Sequence, residues 1–474
     1  MSQDSRDRFK VRIHEALGDT ELRQNFRGAM DFLTGKRAAM FPDADALEKL
    51  RTQGASIRKR ALAKLPDLLE QLENRCTSQG IRVHWAETAD EANRIILGIA
   101  QQRKARLMVK GKSMVSEEID LNHFMALQGI RCLESDMGEY IVQLAEETPS
   151  HIIMPAIHKN TAQIARLFHE RIPATDYTED VDALIGIGRK VLRENFASAD
   201  IGLSGVNFAI AETGTLCLVE NEGNGRMCTT VPPVHIALTG IEKVIEKLDD
   251  LPPLLTLLTR SATGQAITTY VNMISAPRQP GEKDGPEEVH LILLDNGRSG
   301  MFADAELKET LACIRCGACM NHCPVYTRIG GHAYGSTYPG PIGQVLMPRL
   351  NGLDKDGNLA DACSLNGACG EACPVKIPLP DLIRRVRTDR LAPRTTSTRT
   401  QSWLEKQLWR AWLYLYQHPP AYRKLTWLGA RTQALIPKRL GLWTKTRSVP
   451  LPAAETLHEQ MRQHQLRRRE SRSE

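Results

Sequence analysis

Short apolar runs alternate with longer amphipathic stretches through the first 295 residues. "IRVHWA" (81–86), "RLMVK" (106–110), "HIIMPAI" (151–157), "HIALTG" (235–240) and "VHLILLD" (289–295) have the length and apolar content of buried strands. "ADEANRIILGIAQQRKA", after the first of these, and "IEKVIEKLDDL", after residue 240, repeat their apolar positions at helical spacing. Residues 1–70 read as mainly helical and flank this part. The alternation predicts an α/β domain with a largely parallel sheet.

The pattern changes twice. Residues 296–390 lose periodicity and are rich in cysteine and glycine, as a small cofactor-holding domain would be. Residues 391–474 open with "LAPRTTSTRTQ", a linker by composition, followed by "WLEKQLWRAWLYLYQHPP". In the latter Trp403, Trp409, Trp412, Tyr414 and Tyr416 share a predicted helix with Leu404, Leu408 and Leu415. Such a stripe covers a core or a partner, or rests on a membrane surface. The charged end "MRQHQLRRRESRSE" predicts a frayed terminus. The three regions are 1–295, 296–390 and 391–474.

At 474 residues the chain is long enough for two or three domains. The net charge of +6 is uneven: from Leu391 onwards sixteen Lys/Arg face five Glu, a net +11, which leaves −5 for the rest. The basic character belongs to the tail, so nucleic acid is not an expected partner. "MSQDSRDRFK" is polar and no apolar signal segment follows it. No apolar run reaches the length of a membrane span. The expectation is a cytoplasmic chain, with peripheral contact at the inner membrane face as the one membrane option.

Seven of the eleven cysteines lie between 313 and 373. Clustering of this kind in a cytoplasmic chain points to metal rather than disulfides. Cys313, Cys316, Cys319 and Cys323-Pro324 follow the ferredoxin spacing C-x2-C-x2-C-x3-C-P, in which the fourth cysteine serves the other cluster. Cys363, Cys369 and Cys373-Pro374 repeat it with Asn366 in place of one cysteine. A structural zinc site is the competing reading, but zinc sites pair two C-x2-C knuckles around one ion. Crossing assigns Cys313, Cys316, Cys319 and Cys373 to cluster I, a 4Fe–4S cluster. Cluster II takes Cys323, Cys363 and Cys369, with Asn366 at the position lacking a thiol. It is then a 4Fe–4S cluster with an incomplete cysteine set, or a 3Fe–4S cluster. Cys76, Cys132, Cys217 and Cys228 read as structural thiols. "GIGRK" (186–190) lacks the third glycine of a dinucleotide fingerprint, and no flavin or nicotinamide motif is evident.

Outside the cysteines, Lys110 and Lys112 follow a predicted strand, where α/β domains place ligands. Ser113 could cap the next helix. Glu212, Arg226 and His235 are further candidate catalytic residues, each equally readable as structural. His332 and Tyr334 in "RIGGHAYGSTYPGPIGQVL" are candidate contacts or loop packing.

"SGVNFAIAETGTLCLVENEGNGRMCTTVPPVHIALTGIEKVI" (204–244), "MVKGKSMVSEEI" (108–119) and "GGHAYGSTYPGPIGQVL", joined to the two cysteine motifs, resemble lactate-utilisation protein B. That is the iron–sulfur subunit of a bacterial L-lactate-oxidising system. The resemblance implies an α/β domain similar to sugar-phosphate isomerases and CoA transferases, followed by a two-cluster ferredoxin-like helical domain and a helical C-terminal extension. It also implies oxidation of L-lactate to pyruvate by a complex in which this chain, a non-autonomous subunit, carries electrons. The implied companions are a cysteine-rich-domain protein and a second α/β-domain protein. Two readings compete: a self-sufficient isomerase or transferase with structural clusters, and a redox-sensing scaffold.

Overall fold

The computed structural model describes residues 2–391, 403–435, 437, 444, 448–449 and 451–470. Two compact units emerge, Met1–Ala392 and Pro393–Glu474.

The first unit opens with four helices, Ser2–Gly18, Thr20–Met40, Ala44–Ala63 and Leu65–Ser78. Asp19 caps the second by accepting a hydrogen bond from the Leu22 amide. Its buried Phe26, Met30 and Leu33 recur at helical spacing and face the core. Ten strands follow: β1 Arg82–Ala86, β2 Leu107–Lys110, β3 Arg131–Glu134, β4 Ile201–Gly205, β5 Phe208–Ile210, β6 Thr215–Glu220, β7 Val234–Gly240, β8 Val244–Ile245, β9 Tyr270–Ile274 and β10 Glu288–Leu294. Six form an all-parallel sheet in the order β1-β10-β7-β4-β2-β3. Every residue of β7 is buried, as a central parallel strand requires. Its side chains alternate between layers: Ala237 joins the core shared with the N-terminal helices, and Ile236 and Leu238 join the core on the opposite face. The chain leaves β2 outward to β3 and leaves β4 inward to β7. The crevice beyond the carboxyl ends of β2 and β4 is therefore a topological switch point.

A second sheet, β8-β5-β6-β9, is mixed and was not anticipated from the pattern. It accounts for one departure. "IEKVIEKLDDL" is not a helix: Val244 and Ile245 pair with β5, between short 3-10 turns at Ile241–Lys243 and Leu248–Asp250. The carbonyls of Glu242 and Val244 are bound by Arg58 rather than by helical amides. "HIIMPAI" is not a strand either. The His151 ring folds it into a tight turn by accepting from the Ile153 and Met154 amides at 3.0 and 3.2 Å. Ile152 is buried there without any ladder.

Residues 296–391 pack in the same unit and share its main core with the α/β part. The change of texture near residue 296 is therefore a change of local structure and not of packing. In the second unit Trp403–Gln417, Pro419–Arg431 and Leu457–Glu470 are helices. The charged end is helical to residue 470, and its last four residues lie outside the described ones. The linker expected at 391–401 falls outside them too, apart from Leu391. Trp403, Trp409, Trp412, Tyr414 and Tyr416 are largely exposed. Among the described residues no helix is long and apolar enough to cross a membrane.

Candidate cluster-binding site and adjoining cavity

Each cysteine motif is built the same way. A 3-10 turn, Leu307–Ala312 or Gly357–Ala362, delivers Cys313 or Cys363. Two residues on, Arg315 (φ 60°) and Leu365 (φ 56°) adopt the left-handed conformation, and Gly317 (φ 76°) and Gly367 (φ 88°) do so again. This double reversal points amides back at sulfur: Arg315 N–H donates to Cys313 Sγ at 3.4 Å and Leu365 N–H to Cys363 Sγ at 3.3 Å. Short helices then carry Cys319 and Cys369. Asn366 stands where Cys316 stands in the first motif, on the same backbone, but it is exposed whereas Cys316 is buried.

The folded chain crosses the motifs. Cys313, Cys316, Cys319 and Cys373 line one small cavity with Ile152, Ile314 and Ile342. Cys323, Cys363 and Cys369 are one another's electrostatic neighbours. Burial first, and neighbouring thiols second, push Cys316 and Cys369 up to about 12, so loading of metal must displace protons. Tyr326 and Ile377 amides donate to Cys323 and Cys373 sulfurs at 3.4 and 3.3 Å. All seven are free thiols. Soft sulfur donors, directed amides and an apolar lining fit iron–sulfur clusters. Cys76, Cys132, Cys217 and Cys228 are buried, and burial raises each to about 12.

A cavity of about 360 Å³ opens at the switch point. Gly111–Val115 after β2, the last residue of β4 (Gly205) with Val206 and Asn207 beyond it, and the end of β6 border it. So do Lys243, Leu258, Arg315 and Tyr338. Arg315 belongs to the first cysteine motif, and the Lys243 ammonium donates to the Cys313 carbonyl at 3.5 Å, so the cavity adjoins cluster I. Arg315 lies over the Tyr338 ring, 4.6 Å from its centroid, and pairs with Glu242 at 3.3 Å. Glu242 also binds Arg298 at 2.6 Å, and Arg298 binds Glu118 at 2.8 Å. Burial opposes ionisation of Glu242, but Arg298, Arg315 and Lys243 hold it at about 2. Burial, with Arg315 close by, draws Lys243 down to about 7.

Of the sequence candidates, only Lys112 and Ser113 line this cavity. Ser113 does cap the helix Met114–Glu118. Lys110 is fully buried and pairs with Glu117 at 2.5 Å and Glu134 at 2.7 Å, so its ammonium is used up by the fold. Burial opposes its charge, but Glu117, Glu134 and Glu139 outweigh that and hold it above the usual lysine value. Glu212 is exposed in the turn between β5 and β6 and accepts from the Leu248 amide at 3.0 Å. Arg226 is exposed on the helix Asn224–Thr230. His235 is buried inside β7, bonded to Ser204 at 2.8 Å, and burial lowers it to about 3. His332 binds the Thr148 carbonyl at 2.6 Å and Tyr334 is buried, which makes both loop packing. Lys243, Arg315 and Tyr338 escaped the sequence reading. Only Arg315 carried a signal, as a charge inside a cluster motif.

A parallel α/β fold holding two interleaved cysteine motifs defines an iron–sulfur protein of the dicluster kind. Residues 309–377 match the 4Fe-4S dicluster domain, 69–294 the LUD domain, and 385–466 the C-terminal part of lactate utilisation protein B. The chain is 40% identical over 472 residues to the "Uncharacterized electron transport protein YkgF" of Escherichia coli K12, covering 98% of each. It is 44% identical over 381 residues to lactate utilization protein B of Bacillus licheniformis, covering 80% of each. With the Bacillus pumilus protein of that name it shares 40% over 463 residues, 96% of this chain and 97% of the relative. The chain belongs to the lactate utilisation protein B family.

Proposed function

We propose that this chain is the electron-transferring iron–sulfur subunit of a complex that oxidises L-lactate to pyruvate. The observation that carries the reading is the crossing of the two motifs. It sets two thiol groups side by side in one packed unit, with Cys323 and Cys373 each leaving its own motif for the other group. When bound, such clusters accept and release single electrons. The protein's own contribution is to hold the thiolates, aim amides at their sulfurs and exclude water with Ile152, Ile314 and Ile342. Cluster I is assigned Cys313, Cys316, Cys319 and Cys373 as a 4Fe–4S site. Cluster II is assigned Cys323, Cys363 and Cys369, with Asn366 at its open corner. The names of the relatives, an electron transport protein and lactate utilization proteins, support the role. The companion subunits are a cysteine-rich-domain protein and a second α/β-domain protein. The fold is read as isomerase/CoA-transferase-like, and the place of action as the cytoplasm, with the basic, aromatic tail available for the inner membrane face.

The test is Cys316→Ser, assayed in the complex with both companions. Cluster I is expected to be lost from the paramagnetic resonance spectrum, and lactate-dependent reduction of an acceptor to stop with it. Undiminished turnover after verified loss of cluster I overturns the reading.

A further inference from the structure

The cavity at the switch point is lined by a buried lysine, Lys243, which is 6% exposed and makes no direct ion pair among the described residues. The hydrogen bond found for its ammonium, to the Cys313 carbonyl, is long at 3.5 Å. Beside it, Arg315 Nη1 is buried without a partner. Buried nitrogen donors without a full set of acceptors, set in the wall of a cavity, suit an oxygen-bearing anion that can reach both. The other groups limit which anion. Lys112 is already engaged, donating to the Ile153 carbonyl and lying 3.9 Å from Asp136. Glu220 and Glu222 add negative charge to the lining. Two nitrogen donors match one carboxylate, and the acidic lining disfavours a more highly charged anion such as phosphate. Ile152, Leu218, Val219 and Leu258 supply apolar wall for a short carbon chain. The volume is at the lower end of that usual for small-molecule sites, about 300–1,000 Å³.

We propose that this cavity binds a small organic acid, its carboxylate held between Lys243 and Arg315 against the Cys313 loop. The placement beside cluster I has meaning only through the electron-transfer reading, on which it rests; the binding itself does not. The test uses the anaerobically purified, cluster-loaded full chain. Binding of L-lactate, pyruvate and inorganic phosphate is followed by calorimetry and ligand-observed NMR. Lactate or pyruvate is expected to bind and phosphate not to compete. Lys243→Met, which leaves an apolar side chain of similar reach, should weaken binding about thirtyfold or more when compared with the parent at matched iron content. Thr263→Trp fills the half-buried lining without altering charge and should also block binding. The inference is overturned if neither acid binds up to about 10 mM, if both variants bind like the parent, or if phosphate is the ligand. Lactate-dependent cluster reduction in the complex is scored separately. Carboxylate binding without reduction overturns the electron path and leaves the cavity assignment standing. Reduction without binding does the reverse.

Discussion

Arg58 offers a direct test of how the N-terminal helices support cluster I. Its guanidinium is 1% exposed and donates to four backbone carbonyls. These are Val244 at 2.8 Å, Leu311 at 3.0 Å, Ala312 at 3.3 Å and Glu242. Leu311 and Ala312 immediately precede Cys313, so one side chain ties a remote helix to the entry of the first motif. Burial lowers its pKa to about 10, yet it stays charged at neutral pH. Arg58→Met orphans four carbonyls at about 1–3 kcal/mol each. It also removes the desolvation cost of the charge, which leaves a net loss of about 4 kcal/mol. For a unit of 392 residues the unfolding entropy is about 0.8 kcal/mol/K, so the melting temperature should fall by about 5 °C. Iron per chain should fall with it, because the Cys313 loop loses its anchor. Anaerobic scanning calorimetry and iron analysis read both effects. Arg58→Lys, with its charge kept but fewer donors, should lie between. A methionine variant with unchanged melting and full iron would refute the anchoring argument.

Three further outcomes are expected. Gly317→Ala and Gly367→Ala impose the same left-handed backbone cost, about 1–2 kcal/mol. Only at Gly317 would the new Cβ also press on His151 and Ile153, at 3.1 and 3.3 Å, so denaturant titration should show Gly317→Ala to be the more damaging. His235 takes up its proton near pH 6.5 when unfolded and only near about 3 when folded. Its contribution is complete above pH 6.5 and is lost as pH falls, by about 2 kcal/mol at pH 5; His235→Gln should flatten that slope in pH-dependent unfolding. Asn366→Cys puts a thiol on the backbone that carries Cys316 in the first motif, so Mössbauer spectroscopy should show cluster II shifting to a stable four-iron form. An unmodified protein already holding eight irons that resist oxidation would contradict the open corner.

Local pattern carried the elements whose environment is uniform. β2, β7 and β10 are short apolar runs because a parallel sheet covered on both faces buries nearly every position, and a period-free apolar run reads directly as that; β1, at the sheet edge, is only partly buried. The cysteine motifs were equally legible, since cluster loops depend on spacing within a few residues and on glycine at a left-handed position. Sequence by itself thus determined the α/β class, the two motifs and the anomaly at Asn366. Tertiary structure decided what local preference could not. "IEKVIEKLDDL" has helical spacing, but Arg58, far away in sequence, takes its carbonyls, and β5 offers Val244 and Ile245 a ladder. Lys110 and Lys112 look alike along the chain; the strand's direction buries the first among glutamates and turns the second to the cavity. Lys243, Arg315 and Tyr338 come from separate segments and share no local signature. They meet only because the sheet reverses its winding between β2 and β4 and the first cysteine loop packs against the opening this leaves.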